Sequence, residues 1–141
     1  MYILDTNVVS ELRKSRDKAN RNVIVWFDTV DATTIYLSAI TLLELEIGVL
    51  RMARRDAQQA ALLRRWMNEQ VIPRFEKRTL SIDASVAMRC AQLHVPNPRA
   101  DRDAWIAATA LVHGMTVVTR NVADFTPTGV TVLNPWDAVS S

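Results

Sequence analysis

Cysteine is almost missing from this chain of 141 residues; Cys90 is the single one. It has no partner for an internal disulfide and no CxxC-type metal spacing around it, which excludes a disulfide scaffold and fits a reducing compartment. Val86 and Leu93 flank it at helical spacing and put it on a core face, where a free cysteine behaves as a small hydrophobe rather than a reactive thiol. Histidine is nearly as scarce. His94 and His113 are the two present, neither beside a candidate nucleophile, so a histidine-based triad or a zinc centre is short of parts. No apolar run reaches the roughly 18 residues of a membrane span, and the opening residues lack a basic leader region. The expectation is a soluble, cytoplasmic protein with no membrane association. Internal repeats, linkers and low-complexity stretches are also absent.

What is present is apolar material in quantity: 49% of the residues are hydrophobic, enough for one sizeable core, and residues 1–141 read as a single domain. The net charge is only +2, yet the isoelectric point is about 9.0, because most of the basic residues are arginines. Their placement says more than their sum. Arg51, Arg54 and Arg55 cluster, as do Arg64 and Arg65, and Arg13, Lys14, Arg16 and Lys18 form a third group. Each cluster reads either as a solvated helix face or as a phosphate-binding surface.

The hydrophobic pattern alternates strand and helix, which predicts an α/β layer architecture with a mainly parallel sheet. Tyr2 to Leu4 is a short buried strand ending at Asp5, and Thr6 is placed to cap the helix that carries Val8, Val9 and Leu12. Val23, Trp26, Phe27 and Val30 recur at helical spacing, and Ile35 to Leu37 make a second strand. A helix from Thr41 to about Arg54 and another from Asp56 to Val71, with Ala60, Leu63, Met67 and Val71 along one stripe, form a helical hairpin. Thr79 to Ile82 is a third strand and Ala84 to Leu93 a helix; the segment Val95 to Arg99 is a break. Asp101 is placed to cap the next helix, which carries Ile106, Ala107, Ala110 and Leu111 and is apolar enough all round to be central. Met115 to Thr119 and Val130 to Leu133 complete the strands.

Four acids stand out by position. Asp5 directly follows a strand, and in open α/β sheets the carboxyl ends of strands form the binding crevice. Its alternative role is to cap the next helix, work that Thr6 and Asn7 can also do. Glu44 and Glu46 lie two apart on an apolar helix and point to nearly opposite sides, so one can face a pocket while the other meets solvent. Gly48, one turn after Glu44, leaves room for another backbone or a ligand. Asp103 sits in the first turn of a helix, where the dipole favours a negative charge; with Asp101 as cap, its carboxylate is spare. Asp124 follows the fourth strand, as a turn residue or as a further acid of the same site. Carboxylates gathered in one cleft repel unless a cation compensates. Oxygen ligands without histidine or cysteine select Mg²⁺, or Mn²⁺, over zinc, and such an ion activates water for phosphodiester cleavage.

Asp5-Thr6-Asn7, Glu44-Leu45-Glu46-Ile47-Gly48, the run Asp103 to Ala110 (DAWIAATA) and the run Thr119 to Phe125 (TRNVADF) together resemble the motif series of PIN-domain proteins. The likeness is to VapC-type toxins, including the FitB-like branch, which the closing Asn134-Pro135-Trp136 also resembles. It covers nearly the whole chain. Each motif alone is common, whereas the series in this order and spacing is specific. The resemblance implies a three-layer α/β/α sandwich with the first and fourth strands adjacent, which would bring Asp5 and the Thr119 to Asp124 segment to one switch point. It implies Asp5, Glu44, Asp103 and Asp124 as the catalytic acids, Asp5 and Asp103 as metal ligands, and Thr6, Asn7, Thr119 and Asn121 as supporting polar groups. Some relatives carry an acid where this chain has Asn121. It further implies Mg²⁺-dependent cleavage of structured RNA such as tRNA or rRNA, homodimerisation, neutralisation by a small VapB-type antitoxin, and operator DNA contacted only through that antitoxin. Arg51, Arg54, Arg55 and Arg120 are the candidates to meet RNA phosphates. Trp66 and Trp105 could stack bases or pack in the core.

Two rival readings use the same residues. A phosphatase or receiver-like domain with Asp5 as phosphoryl acceptor wants a second aspartate at position 7, where this chain has Asn7. A catalytically silent PIN-like module would act only with an antitoxin in operon repression, and the presence of all the acids argues against it.

Overall fold

The computed structural model describes residues 1–137. Five strands, β1 (Tyr2–Leu4), β2 (Ile35–Ser38), β3 (Thr79–Leu80), β4 (Thr116–Val118) and β5 (Val132–Leu133), form one sheet in the order β3-β2-β1-β4-β5. Every pairing is parallel, with Ile3 opposite Tyr36 on one side and Val117 on the other. β1 is therefore central, and the chain leaves it in one direction toward β2 and returns on its other flank as β4. Strand order reverses there, and the crevice at such a switch point opens at the carboxyl ends of the strands.

Side-chain alternation along the strands divides the core in two. Leu4, Ile35, Leu37 and Val118 face helices α1 (Thr6–Arg13), α2 (Arg21–Thr29), α3 (Ala39–Ala53) and α4 (Ala57–Trp66), together with Met67, Val71 and Phe75. Ile3 and Val117 face the opposite layer, where α6 (Asp101–His113) contributes Ile106, Ala107 and Ala110, and α7 (Val122–Phe125) contributes Phe125. Helix α5 (Ala84–Leu93) packs outside α6 through Val86 and Cys90 against Ala104 and Ala108. The result is the expected α/β/α sandwich. Its centre is β1 with α6, whose residues 106 to 110 are wholly buried, as an all-round apolar helix requires.

Several local expectations change. Thr6 does not cap α1; the Asp5 side chain does, accepting from the Thr6 N–H at 2.8 Å. Nor does Asp101 cap α6. The N-cap is Ala100, without a side-chain bond, and both Asp101 and Asp103 lie in the first turn. The second arm of the hairpin is α-helical only to Trp66 and continues from Met67 to Val71 as a wider π-turn. The predicted stripe of Ala60, Leu63, Met67 and Val71 still packs inward. β1 has the bounds read from the sequence and β2 runs one residue further, to Ser38, whereas β3, β4 and β5 are shorter than read, because their outer residues lie beyond the pairing of a narrow sheet. Cys90 is 3% exposed, and burial, aided by the charge of Asp101, pushes its thiol pKa up, which suits a core residue.

Candidate active site

Asp5 leaves the carboxyl end of β1 and is 4% exposed. Its backbone N–H donates to the Val118 carbonyl of β4, which fixes it at the switch point. Both carboxylate oxygens are held. Oδ1 accepts from the Thr6 N–H, while Oδ2 accepts from the Thr119 hydroxyl at 2.8 Å and from Asn7 Nδ2 at 3.3 Å. Thr119 is itself fully buried and accepts from the Asn121 N–H and from Asn7 Nδ2. Asn7 Oδ1 in turn accepts from the Arg120 N–H. The Asp5-Thr6-Asn7 and Thr119-Arg120-Asn121 segments, more than 110 positions apart in the chain, are thus laced together. Asn121 takes part through its backbone; its side chain makes none of the described hydrogen bonds.

Glu44 projects from α3 and joins this group through Thr6, whose hydroxyl donates to Oε1 at 2.8 Å. Glu46, two residues on, turns away and forms a two-pronged pair with Arg64 of α4, at 2.6 and 2.5 Å. That division between pocket and surface is the one expected from helical geometry. Asp103 enters from the first turn of α6, and Asp124, exposed, from the first turn of α7.

Electrostatics shows that the four acids share one neighbourhood. The pKa of Asp103 is pushed up to about 6, by burial first and then by the negative charges of Asp5, Asp124 and Glu44. Asp5 is raised as well: burial dominates, the bonds from Thr119 and Thr6 pull the other way, and Glu44 and Asp124 add repulsion. Charge repulsion of this kind, added to burial, is what carboxylates gathered in one crevice produce. Among the described residues, no three His, Cys, Asp or Glu side chains are drawn close enough to hold a metal ion as they stand. The donor set itself suits a hard divalent cation: carboxylate oxygens, with no nitrogen or sulfur ligand among them.

A groove of about 360 Å³ begins at Thr6 and Glu44 and runs between α1 and the α3–α4 hairpin. Ser10, Arg13, Gly48, Met52 and Trp66 line its length. A methyl group added at Gly48 would meet nothing within 4 Å, so the groove is open beside it. Arg51 stands two turns beyond Glu44 on α3, about 10 Å along the axis, with Arg54 and Arg55 in the turn that follows; all three are exposed. None of them touches the acids. Arg120 joins the site through its backbone N–H, while its guanidinium is set over the Trp136 ring, 5.3 Å from its centre. Arg102, beside Asp103, was not singled out from the sequence, and Arg13, in the groove wall, was named there only within a basic cluster. Neither belongs to a motif, and only the packing of α1 and α6 against α3 brings them to the site. Trp66 packs at the core edge and also lines the groove, and Trp105 packs partly buried against Cys90 and Ala104.

A parallel sandwich with four coupled carboxylates at its switch point defines a class of acidic-site α/β proteins. The PIN domain model matches residues 2–125, and the chain belongs to the PIN-domain family. It is 36% identical to Toxin FitB of Neisseria gonorrhoeae over 141 residues, covering 96% of this chain and 99% of that protein. It is 34% identical to VapC ribonuclease Y4jK of Sinorhizobium fredii, covering 97% and 99%. Among solved structures, that of FitAB bound to an IR36 DNA fragment superposes with a TM-score of 0.88 at 35% identity, covering 99% of each chain. No helix among the described residues is long and apolar enough to cross a membrane.

Proposed function

We propose that this chain is a metal-dependent endoribonuclease, the toxin of a toxin–antitoxin pair, which cleaves structured RNA such as tRNA or rRNA. The observation that carries the reading is the convergence of Asp5, Glu44, Asp103 and Asp124, with the pKa of Asp103 raised to about 6 by burial and then by its acidic neighbours. Asp5 and Asp103 would hold Mg²⁺ or Mn²⁺, and when bound the ion supplies an activated water and positive charge for phosphodiester cleavage. Thr119, Asn7 and the Thr6 N–H keep the Asp5 carboxylate in one orientation, as outer-shell partners do. Thr6 couples that orientation to Glu44. The exposed Arg51, Arg54 and Arg55 extend the site along α3 as phosphate contacts for the RNA.

Support for the toxin role comes from relatives named as ribonuclease and toxin. A small VapB-type antitoxin would lie in the groove that starts at Glu44, and operator DNA would be met only through it, in line with the FitAB–DNA structure. Leu43 and Leu50, seven apart on α3 and 46% and 55% exposed, leave an apolar stripe suited to a homodimer.

Sequencing of RNA ends after brief induction tests the reading. The parent chain should generate new 5′ ends at defined sites and arrest growth, and Asp5→Asn should do neither. Equal cleavage by Asp5→Asn overturns the assignment. Growth arrest by both without new ends would favour the catalytically silent module.

A further inference from the structure

Arg102 is the residue of this site that the motifs do not account for. It is the second residue of α6, directly before Asp103, and its Nη1 lies 3.7 Å from Glu44 Oε2. Glu44 is thereby held on both oxygens, by the Thr6 hydroxyl on Oε1 and by this guanidinium on Oε2. Two features argue that the placement is not structural. A cation in the first turn of a helix opposes the helix dipole, which favours negative charge there. In addition, an ion pair this long with side chains 46% and 24% exposed contributes little to stability. What the guanidinium does is compensate one acid of four. Glu44 has a positive charge beside it, whereas the described ion pairs include none for Asp5, Asp103 or Asp124.

We propose that Arg102 is a built-in second cation of the acidic site: it occupies the Glu44 side, so that the site takes one divalent ion per chain, on the Asp5 and Asp103 side. The inference rests on the metal-site reading above. In two-ion nucleases the cations stand on either side of the reacting phosphate, one steadying the attacking oxygen and one the leaving oxygen. A guanidinium provides one fixed positive charge, half that of a divalent ion, at one of those stations, with N–H groups left over for a phosphate oxygen. At 3.7 Å the contact with Glu44 is electrostatic rather than a tight fork, which leaves those donors free.

Calorimetric titration of the intact chain with Mn²⁺, without RNA, tests this. The parent should bind one ion, Arg102→Met two, and Arg102→Lys one again, because a lysine keeps the charge. In single-turnover cleavage the dependence of rate on Mn²⁺ should steepen from a Hill coefficient of about 1 in the parent to about 2 in the Met variant. Matching melting curves for the three proteins would show that each is folded. One ion in Arg102→Met, or two already in the parent, overturns the role of Arg102. If binding also vanishes in Asp5→Asn, the metal site stands independently of that result. No Mn²⁺ binding by the parent overturns the metal site and the inference together.

Discussion

The two ends of helix α1 each carry a buried carboxylate, and they solve the problem of burial in opposite ways. At the C-terminal end Glu11, 8% exposed, accepts from the Asn20 N–H at 2.9 Å and pairs with Lys14 at 3.0 Å. Burial pushes its pKa up, but these bonds, with the charges of Lys14 and Arg120, outweigh burial and leave it below the usual value. At the N-terminal end Asp5 is as well hydrogen-bonded, yet burial raises its pKa, and its charged neighbours, Glu44 and Asp124, add to the rise instead of opposing it. The difference is first one of burial, which raises Asp5 by more than its hydrogen bonds recover, and then of charge, which is negative around Asp5 and positive around Glu11. Glu11 is compensated within the chain and serves structure, whereas the acids around Asp5 are left with surplus negative charge that a cation from solution can neutralise.

The sharpest way to break that comparison is Asp103→Asn. Cleavage should fall by more than the roughly 10- to 100-fold typical of outer-shell changes, measured as kcat on a cleaved RNA. The metal-free protein should become more stable at pH 7. Asp103 has a folded pKa of about 6, above its ordinary 3.8, so its contribution to stability is fully present below about pH 4 and is lost as pH rises through about 6. Melting temperature of the metal-free parent should therefore decline across that window. Mg²⁺ should restore it at pH 7, and Asp103→Asn should flatten the decline. A parent whose melting temperature is level from pH 4 to 7 would show that the acids are not coupled as described.

Removing a supporting group should be milder. Thr119→Val deletes the hydroxyl that orients Asp5 without changing the charge, and Mg²⁺ affinity should drop about 10- to 100-fold by calorimetry. An unchanged affinity would mean that Asp5 is held well enough by Thr6 and Asn7 alone. At the other end of α1, Glu11→Gln should destabilise the fold by about 1 kcal/mol in denaturant titration and leave cleavage untouched. Its pH signature is the reverse of Asp103: the stabilisation is present above about pH 4.5 and is lost as pH falls through the lowered folded pKa. The smallest effect is expected on the surface. Replacing Arg51, Arg54 and Arg55 together by alanine should raise KM for RNA severalfold with kcat unchanged, and lower the salt dependence of binding by up to about one unit per lost contact.

How much of this was legible beforehand depends on the kind of residue. The strands could be read from short β-branched and aromatic runs, and α6 from apolar residues on every side, because burial on all faces leaves no polar stripe to mistake. The acids could be nominated because each stands at an element boundary where the backbone turns toward a crevice. Caps were less legible: Asp5 and Thr6 are both good N-caps, and only the pairing of Asp5 with Val118 decided which of them starts the helix. Arg102 had no signature, since a lone arginine on a helix is ordinary surface until another helix is packed beside it, and Arg13 was visible only as one member of a basic cluster.

Local pattern in the chain determined the alternation of elements, the apolar faces that make two core layers, and the acids available for a site, because each follows from periodicity and residue chemistry within a few positions. Only the tertiary structure decided that Asp5 meets Thr119 across 114 positions, that Glu44 shares its carboxylate between Thr6 and Arg102, and that Glu11 rather than Asp5 is neutralised at home. The reason is that pKa, hydrogen bonding and ion pairing depend on distance in space, which is set by the order of the strands and the crossing of the helices.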